Sequence, residues 1–173
     1  MSGLSHPPTL ELLKNRDRRS WELLYDELAP DLRGFAQRIG ASDPDDTVSE
    51  TMLQIVRDMD SFTGTIEEIR PWAFRIARNR VIDVKRRAQR RPTEVALTAP
   101  HDIVTHLDPE SRGLDLSKVS EALNALTPEQ REVLWLRYAM DFSLGTTAEI
   151  MGSTPDAIAS MAYRALTRIR QML

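Results

Sequence analysis

Apolar residues recur at intervals of three and four through most of this 173-residue chain, and no stretch alternates with the period of two that a strand requires. That pattern restricts the chain to an all-α fold. Trp21, Leu24, Tyr25 and Leu28 form one run, and Leu32, Phe35, Ala36 and Ile39 form the next. Pro30 is expected to separate the two runs and Gly40 to end the second. Asp43-Pro44 reads as an N-cap followed by proline in the first helical turn. The helix it opens places Val48, Met52, Ile55, Val56 and Met59 on one face and ends near Ser61. After a short connection, Phe62 to Thr65, a further helix carries Trp72, Ile76 and Val81, with Ala73 and Ala77, as its inner stripe.

The period fails between Arg91 and Leu114, where Pro92, Pro100, Pro109 and Gly113 punctuate the chain. A structureless segment of that length is out of place inside a compact domain and ordinary between two domains. The expected organisation is therefore two small helical domains, residues 1–91 and 115–173, joined by a flexible linker over 92–114. In the second, Leu116, Val119, Leu123 and Leu126 form a stripe. Thr127-Pro128-Glu129-Gln130 combines N-cap, first-turn proline and capping-box glutamine, and Val133, Leu134 and Leu136 continue from it. A short helix spans Leu144 to Met151 and Gly152 closes it. Thr154-Pro155 opens the last helix, with Ile158, Met161, Ala162, Ala165, Leu166 and Ile169 as apolar positions.

The net charge of −3 hides a concentrated field. Arg70 to Arg91 holds nine basic residues against the single acid Asp83, whereas Met1 to Ile69 holds seven against fourteen. A solvated helix mixes signs to gain pairs four residues apart. A run this one-sided points to a polyanion, with a merely solvated face as the alternative. Phe62, Trp72 and Phe74 lie beside it, and exposed bases stack on such rings. Trp72 also falls on the apolar stripe, which favours a core role. The two final helices have helix-turn-helix spacing around Gly152-Ser153-Thr154, and a plain helical hairpin fits the same spacing.

Other classes are disfavoured. The chain has no cysteine, hence no disulfide framework and no thiolate metal site. His6, His101 and His106 sit in tail and linker without ligand spacing, so no metal or cofactor is expected. No nucleophile–base pair or glycine-rich phosphate loop is visible, so the chain is not expected to be an enzyme. No stretch approaches the roughly 20 apolar residues of a membrane span. No signal peptide is evident at Met1 to Pro8, so a cytoplasmic location is expected.

Four motifs then converge. WAFRIARNRVIDVKRR (72–87) resembles the W-L-F-R-I-A-R-N-x-x-x-D-x-x-R-R helix of extracytoplasmic-function sigma factors. DDTVSETML (45–53) resembles their D-x-V-Q-E-T-F-L motif. LTPEQREVL (126–134) resembles the opening of their second domain, and AEIMG (148–152) with YRAL (163–166) fall where that family has A-E-I-L-G and H-R-A. The motifs stand in register and in order over about Trp21 to Arg91 and Leu116 to Arg170.

The resemblance implies an alternative sigma factor made of sigma regions 2 and 4. It implies that Asp46, Ser49, Glu50 and Gln54 dock on the β′ clamp helices of core RNA polymerase. Phe62, Arg75, Arg78, Asn79, Arg80, Lys85, Arg86 and Arg87 would capture the melted minus-ten strand. Thr154, Asp156, Ala157, Ser160, Tyr163 and Arg164 would meet the minus-thirty-five duplex, with the second domain gripping the β flap. Promoter DNA is the implied nucleic acid, and an anti-sigma factor is the family's usual regulator. Thr47 and Ser49 depart from the family's leucine and glutamine. Ala159 and Met161 stand where the family carries basic residues, which removes two donors for phosphates and guanine edges. That loss motivates one rival, a sigma-like adaptor that binds polymerase without reading promoters; the other rival is a stand-alone helix-turn-helix regulator, which would not need the Asp45–Leu53 motif.

Overall fold

The computed structural model describes residues 7–90 and 121–173, all helix and connecting turns. The expected linker, the three histidines, Leu116 and Val119 lie outside the described residues. Four helices precede the gap: α1 (Leu10–Lys14), α2 (Arg18–Arg38), α3 (Pro44–Asp58) and α4 (Ile69–Arg90), with a 3₁₀ turn at Met59–Ser61. After it come a helical turn at 121–124, then α5 (Pro128–Leu134), α6 (Leu144–Met151) and α7 (Pro155–Met172).

Local chemistry sets most of the helix starts. Asp43 accepts from Asp46 N at 2.9 Å ahead of Pro44. Thr127 and Gln130 close a reciprocal capping box. Ser143 caps α6 and Thr154 caps α7. Each satisfies a backbone donor that the first turn leaves unpaired, worth about 1 kcal/mol. Gly152 ends α6 at φ 63°, the left-handed conformation that spares glycine a steric penalty.

Three expectations need correction. Pro30 does not separate two helices; it lies exposed inside the continuous α2. The lost N–H is outweighed because the same helix seals Leu28, Ala29, Leu32, Phe35 and Ala36 in the core. The helix from Thr127 does not stay α: it widens into a π turn at Trp135–Ala139, closed by Met140 N donating to Trp135 O at 3.0 Å. The extra residue per turn keeps Trp135 and Leu136 both inward. Phe74 does not face solvent. It is fully buried, tilted against Phe35 at 5.1 Å and edge-on to Phe142 at 5.2 Å.

That last contact bears on the architecture. One apolar cluster runs from Leu13, Leu28, Phe35, Ile55, Ala73 and Phe74 to Val133, Trp135, Phe142, Ile150 and Ile158. The two helical sets share a core, with α6 packed against α4. A smaller cluster of Leu126, Leu134 and Ala165 ties α5 to α7.

Candidate nucleic-acid interface

The connection from Met59 to Glu68 is held from below. Lys14 Nζ donates to the Phe62 carbonyl at 2.8 Å, and Arg16 pairs with Asp60 at 2.8 Å. These anchors fix the Phe62 ring against Trp72, stacked with centroids 4.6 Å apart and planes 19° from parallel. Gly64 follows: a Cβ there would come within 2.6 Å of both the Phe62 ring and Glu68 Oε2. Glu68 Oε2 in turn accepts from Thr65 N at 2.6 Å. Phe62, Gly64, Glu68, Pro71, Trp72 and Arg75 line a cleft of about 200 Å³, and Glu149 and Ile150 of α6 form its far wall. The cleft thus combines a flat aromatic surface, on which a base can stack, with one cation, Arg75, and two carboxylates, Glu68 and Glu149. Trp72 serves both readings: it packs half-buried on the core and stacks Phe62 at its edge.

The basic residues of α4 divide by environment. Arg75, Asn79, Arg86, Arg87 and Arg90 are exposed. Lys85 is exposed too, but its ammonium donates to the Ile39 carbonyl, where a cation complements the C-terminal dipole of α2. Arg80 donates to Glu50 of α3. Arg78 points away from solvent: Nε donates to Glu132 Oε1 of α5 at 2.6 Å, with the side chains 15% and 8% exposed. Burial pushes the Glu132 carboxyl above its ordinary range, against the opposing pull of Arg78.

On α3, Asp46 and Ser49 are exposed, Glu50 is held by Arg80, and Gln54 donates to Asp58 at 2.7 Å. Asp46, Thr47, Arg80, Asp83, Val84 and Arg87 line one groove, so the acidic patch abuts the basic helix. On α7, Thr154, Asp156, Ala157, Ser160, Tyr163 and Arg164 are all exposed, Tyr163 at 71%. Ala159 is exposed as well, whereas Met161 packs half-buried against the core. Among the described residues no group of carboxylates and histidines is placed to hold a metal, and no helix is long and apolar enough to cross a membrane.

The sequence reading missed the residues that join the halves. Arg38 lies with its guanidinium carbon 3.7 Å from the centre of the Trp135 ring. Its Nε and Nη1 have no hydrogen-bond partner among the described residues, and burial lowers its pKa. Arg70 bridges Asp31 at 2.8 Å and approaches Met140 and the Phe142 ring. The one available signal was Trp135 within the run Leu134-Trp135-Leu136, too apolar all round for a helix with one buried face.

Residues 24–91 match Sigma-70 region 2, and residues 116–169 match Sigma-70, region 4. The chain belongs to the sigma-70 family. It is similar to the ECF RNA polymerase sigma factor ShbA of Streptomyces griseus, 27% identical over 96% of this chain and 82% of ShbA. It is also similar to the ECF RNA polymerase sigma factor SigL of Mycobacterium tuberculosis, 29% identical over 87% of this chain and 86% of SigL. Against the ECF RNA polymerase sigma factor BldN of Streptomyces coelicolor it is 29% identical over 87% of its own length, and spans 59% of BldN. Among solved structures, the sigma factor RpoE in complex with the anti-sigma factor NepR from Bartonella quintana superposes with TM-score 0.64 at 27% identity, covering 92% of this chain and 96% of RpoE. CnrH, solved with the cytosolic domain of CnrY, shares the fold: TM-score 0.63 at 23% identity, covering 94% and 92%. The all-α, two-region organisation and the extracytoplasmic-function assignment expected from the motifs agree with these matches, and members of this group are alternative sigma factors of transcription initiation.

Proposed function

We propose that this sigma factor docks on core RNA polymerase through the acidic face of α3, captures the melted minus-ten strand with the Phe62–Trp72 cleft and α4, and presents α7 to the minus-thirty-five duplex. It performs no chemistry itself. Placement and strand capture offset the unstacking cost of opening the duplex, a few kcal/mol per base. The observation that carries this reading is the cleft itself, where an aromatic stack and Arg75 lie at the head of a helix whose outer face is arginine. Asp46, Ser49, Glu50 and Gln54 supply the polymerase contact, and the second region grips the β flap. The protein acts in the cytoplasm, where an anti-sigma factor is its regulator. The similarity to RpoE, solved with an anti-sigma factor, supports that partner.

The test is run-off transcription from genomic fragments with purified core polymerase, with and without the protein. New, discrete transcripts that require the protein are expected. Binding to core polymerase with no transcript on any fragment would favour the adaptor reading and overturn this one.

A further inference from the structure

Two helix ends among the described residues close on a glycine in the left-handed conformation, Gly40 after α2 at φ 78° and Gly152 after α6 at φ 63°. Each carries the same pair of backbone bonds: Ala41 N donates to Ala36 O and Gly40 N to Gln37 O, Ser153 N to Ala148 O and Gly152 N to Glu149 O. The end of α1 repeats the pair, with Asp17 N donating to Leu12 O at 2.9 Å and Arg16 N to Leu13 O at 3.1 Å. Here the left-handed residue is Arg16, at φ 59°. A residue with a Cβ is strained there, and glycine is not. The Arg16 guanidinium crosses to the connection ahead of α4: Nη1 donates to Val56 O in the last turn of α3 at 2.7 Å, and Nη2 to Asp60 Oδ2 at 2.8 Å. Two residues earlier, Lys14 Nζ donates to Phe62 O at 2.8 Å. Leu13, between them, is fully buried and accepts from Trp21 Nε1 at 3.1 Å, which seats α1 on the core. All of this lies before residue 24, where the match to Sigma-70 region 2 begins.

We infer that Lys14 and Arg16 are positioning residues for strand capture: α1 is a hook whose two cations hold the connection from Met59 to Glu68 against α3, so that the Phe62 ring is already stacked on Trp72 when the strand arrives. This rests on the function proposed above and adds to it two determinants outside the matched region. The physical logic is preorganisation. A connection left free loses its freedom at the moment of binding, and affinity falls by that entropy. Arg16 also ties the connection to the helix proposed to dock on polymerase, which sets the aromatic surface in a fixed place relative to the enzyme. A helix-terminal carbonyl and a carboxylate both favour a cation, so Val56 O and Asp60 suit one guanidinium. The Arg16 and Asp60 side chains are 46% and 66% exposed, and an ion pair so open to solvent adds little global stability. Backbone strain that stability does not repay is characteristic of residues kept for what their side chains hold in place.

The test uses the full-length chain and exploits the strain. Arg16→Gly removes both guanidinium bonds and suits the left-handed backbone, so its melting temperature is expected to match or exceed that of wild type. Lys14→Met keeps the stem of a half-buried side chain and removes the ammonium. Arg19→Ala is the control, removing an exposed cation that pairs with Glu22. Hydrogen exchange read by mass spectrometry on the free protein reports the order of the Met59–Glu68 connection. Permanganate reactivity of thymines, on a promoter recovered by the run-off assay, reports opening with core polymerase. Arg16→Gly and Lys14→Met are expected to speed exchange of the connection and to lower opening about fivefold, the loss that follows when the competent position is held about a fifth of the time. Their affinity for core polymerase is expected to stay within about twofold of wild type, since no side chain of α3 is changed and distant sites act independently. Arg19→Ala should match wild type in each measurement. Unchanged exchange in both variants, or faster exchange with normal opening, would overturn the inference. So would a lowered melting temperature for Arg16→Gly together with normal opening by Lys14→Met, which would make Arg16 a structural residue only. Run-off transcription by the wild-type chain separates the two levels: transcription with variants indistinguishable from wild type sinks the positioning role alone, whereas absence of transcription sinks the functional reading and the inference with it.

Discussion

Arg80 of α4 donates to the carboxylate of Glu50 on α3, so a side chain expected to hold DNA instead holds one expected to hold polymerase. The two faces are therefore mechanically linked, with Arg80 orienting the acid proposed to meet polymerase. Both side chains are about one-third exposed, which limits the pair to roughly 0.2–1 kcal/mol of stability. Arg80→Ala should thus leave the melting temperature within a few degrees of wild type. It should weaken core-polymerase binding several-fold by freeing Glu50 to sample other rotamers. Asp46→Arg with Glu50→Arg should abolish co-purification with core polymerase at unchanged helical content. Undiminished binding by the double reversal would remove α3 from the docking surface.

The Phe62–Trp72 stack should be required for strand opening rather than for folding. Phe62 is only half-buried, so Phe62→Ala should cost about 1–2 kcal/mol of stability, below the 3–5 typical of a buried phenylalanine. Permanganate reactivity of promoter thymines in complexes with polymerase should fall by an order of magnitude or more. Gly64→Ala should reproduce part of that loss, because its Cβ would displace the Phe62 ring. Normal opening with both substitutions would move strand capture elsewhere.

Glu132 carries a pH signature. Burial raises its pKa from the unfolded value of about 4.5, so the folded chain binds its proton more tightly than the unfolded chain. Its favourable contribution is complete below that unfolded value and disappears as pH rises through the folded one. Glu132→Gln retains an oxygen acceptor for Arg78 and removes the titration. The variant's melting temperature relative to wild type should therefore increase between pH 4 and pH 8. A relative decrease over that range would mean that attraction to Arg78 outweighs desolvation.

Arg86, Arg87 and Arg90 are exposed and should act through phosphates. Replacing all three by alanine should lower promoter-complex affinity and reduce the slope of log K against log salt by about 0.7–0.9 for each phosphate that is no longer neutralised. Salt slopes that coincide with wild type would assign this face to solvent alone.

Helix identity was legible from the chain because it depends on neighbours. Asp43-Pro44, Thr127 with Gln130, Ser143 and Thr154-Pro155 mark their own helix starts through caps that reach only three residues. The exposed set on α7 was equally legible, since period and charge decide which side faces water. Periodicity names an apolar face without naming what covers it. That Phe74 meets Phe142, that Trp135 lies under Arg38, and that Arg78 is committed to Glu132 are pairings 54 to 97 positions apart, chosen by complementary shape once the helices pack. Pro30 shows the same division: its local preference says break, and α2 runs through because burial on both sides outweighs one missing hydrogen bond. Contacts within a few residues settle the caps and the basic face, whereas the closing of two helical sets on one core follows from packing, because burial energy depends on partners that no local pattern encodes.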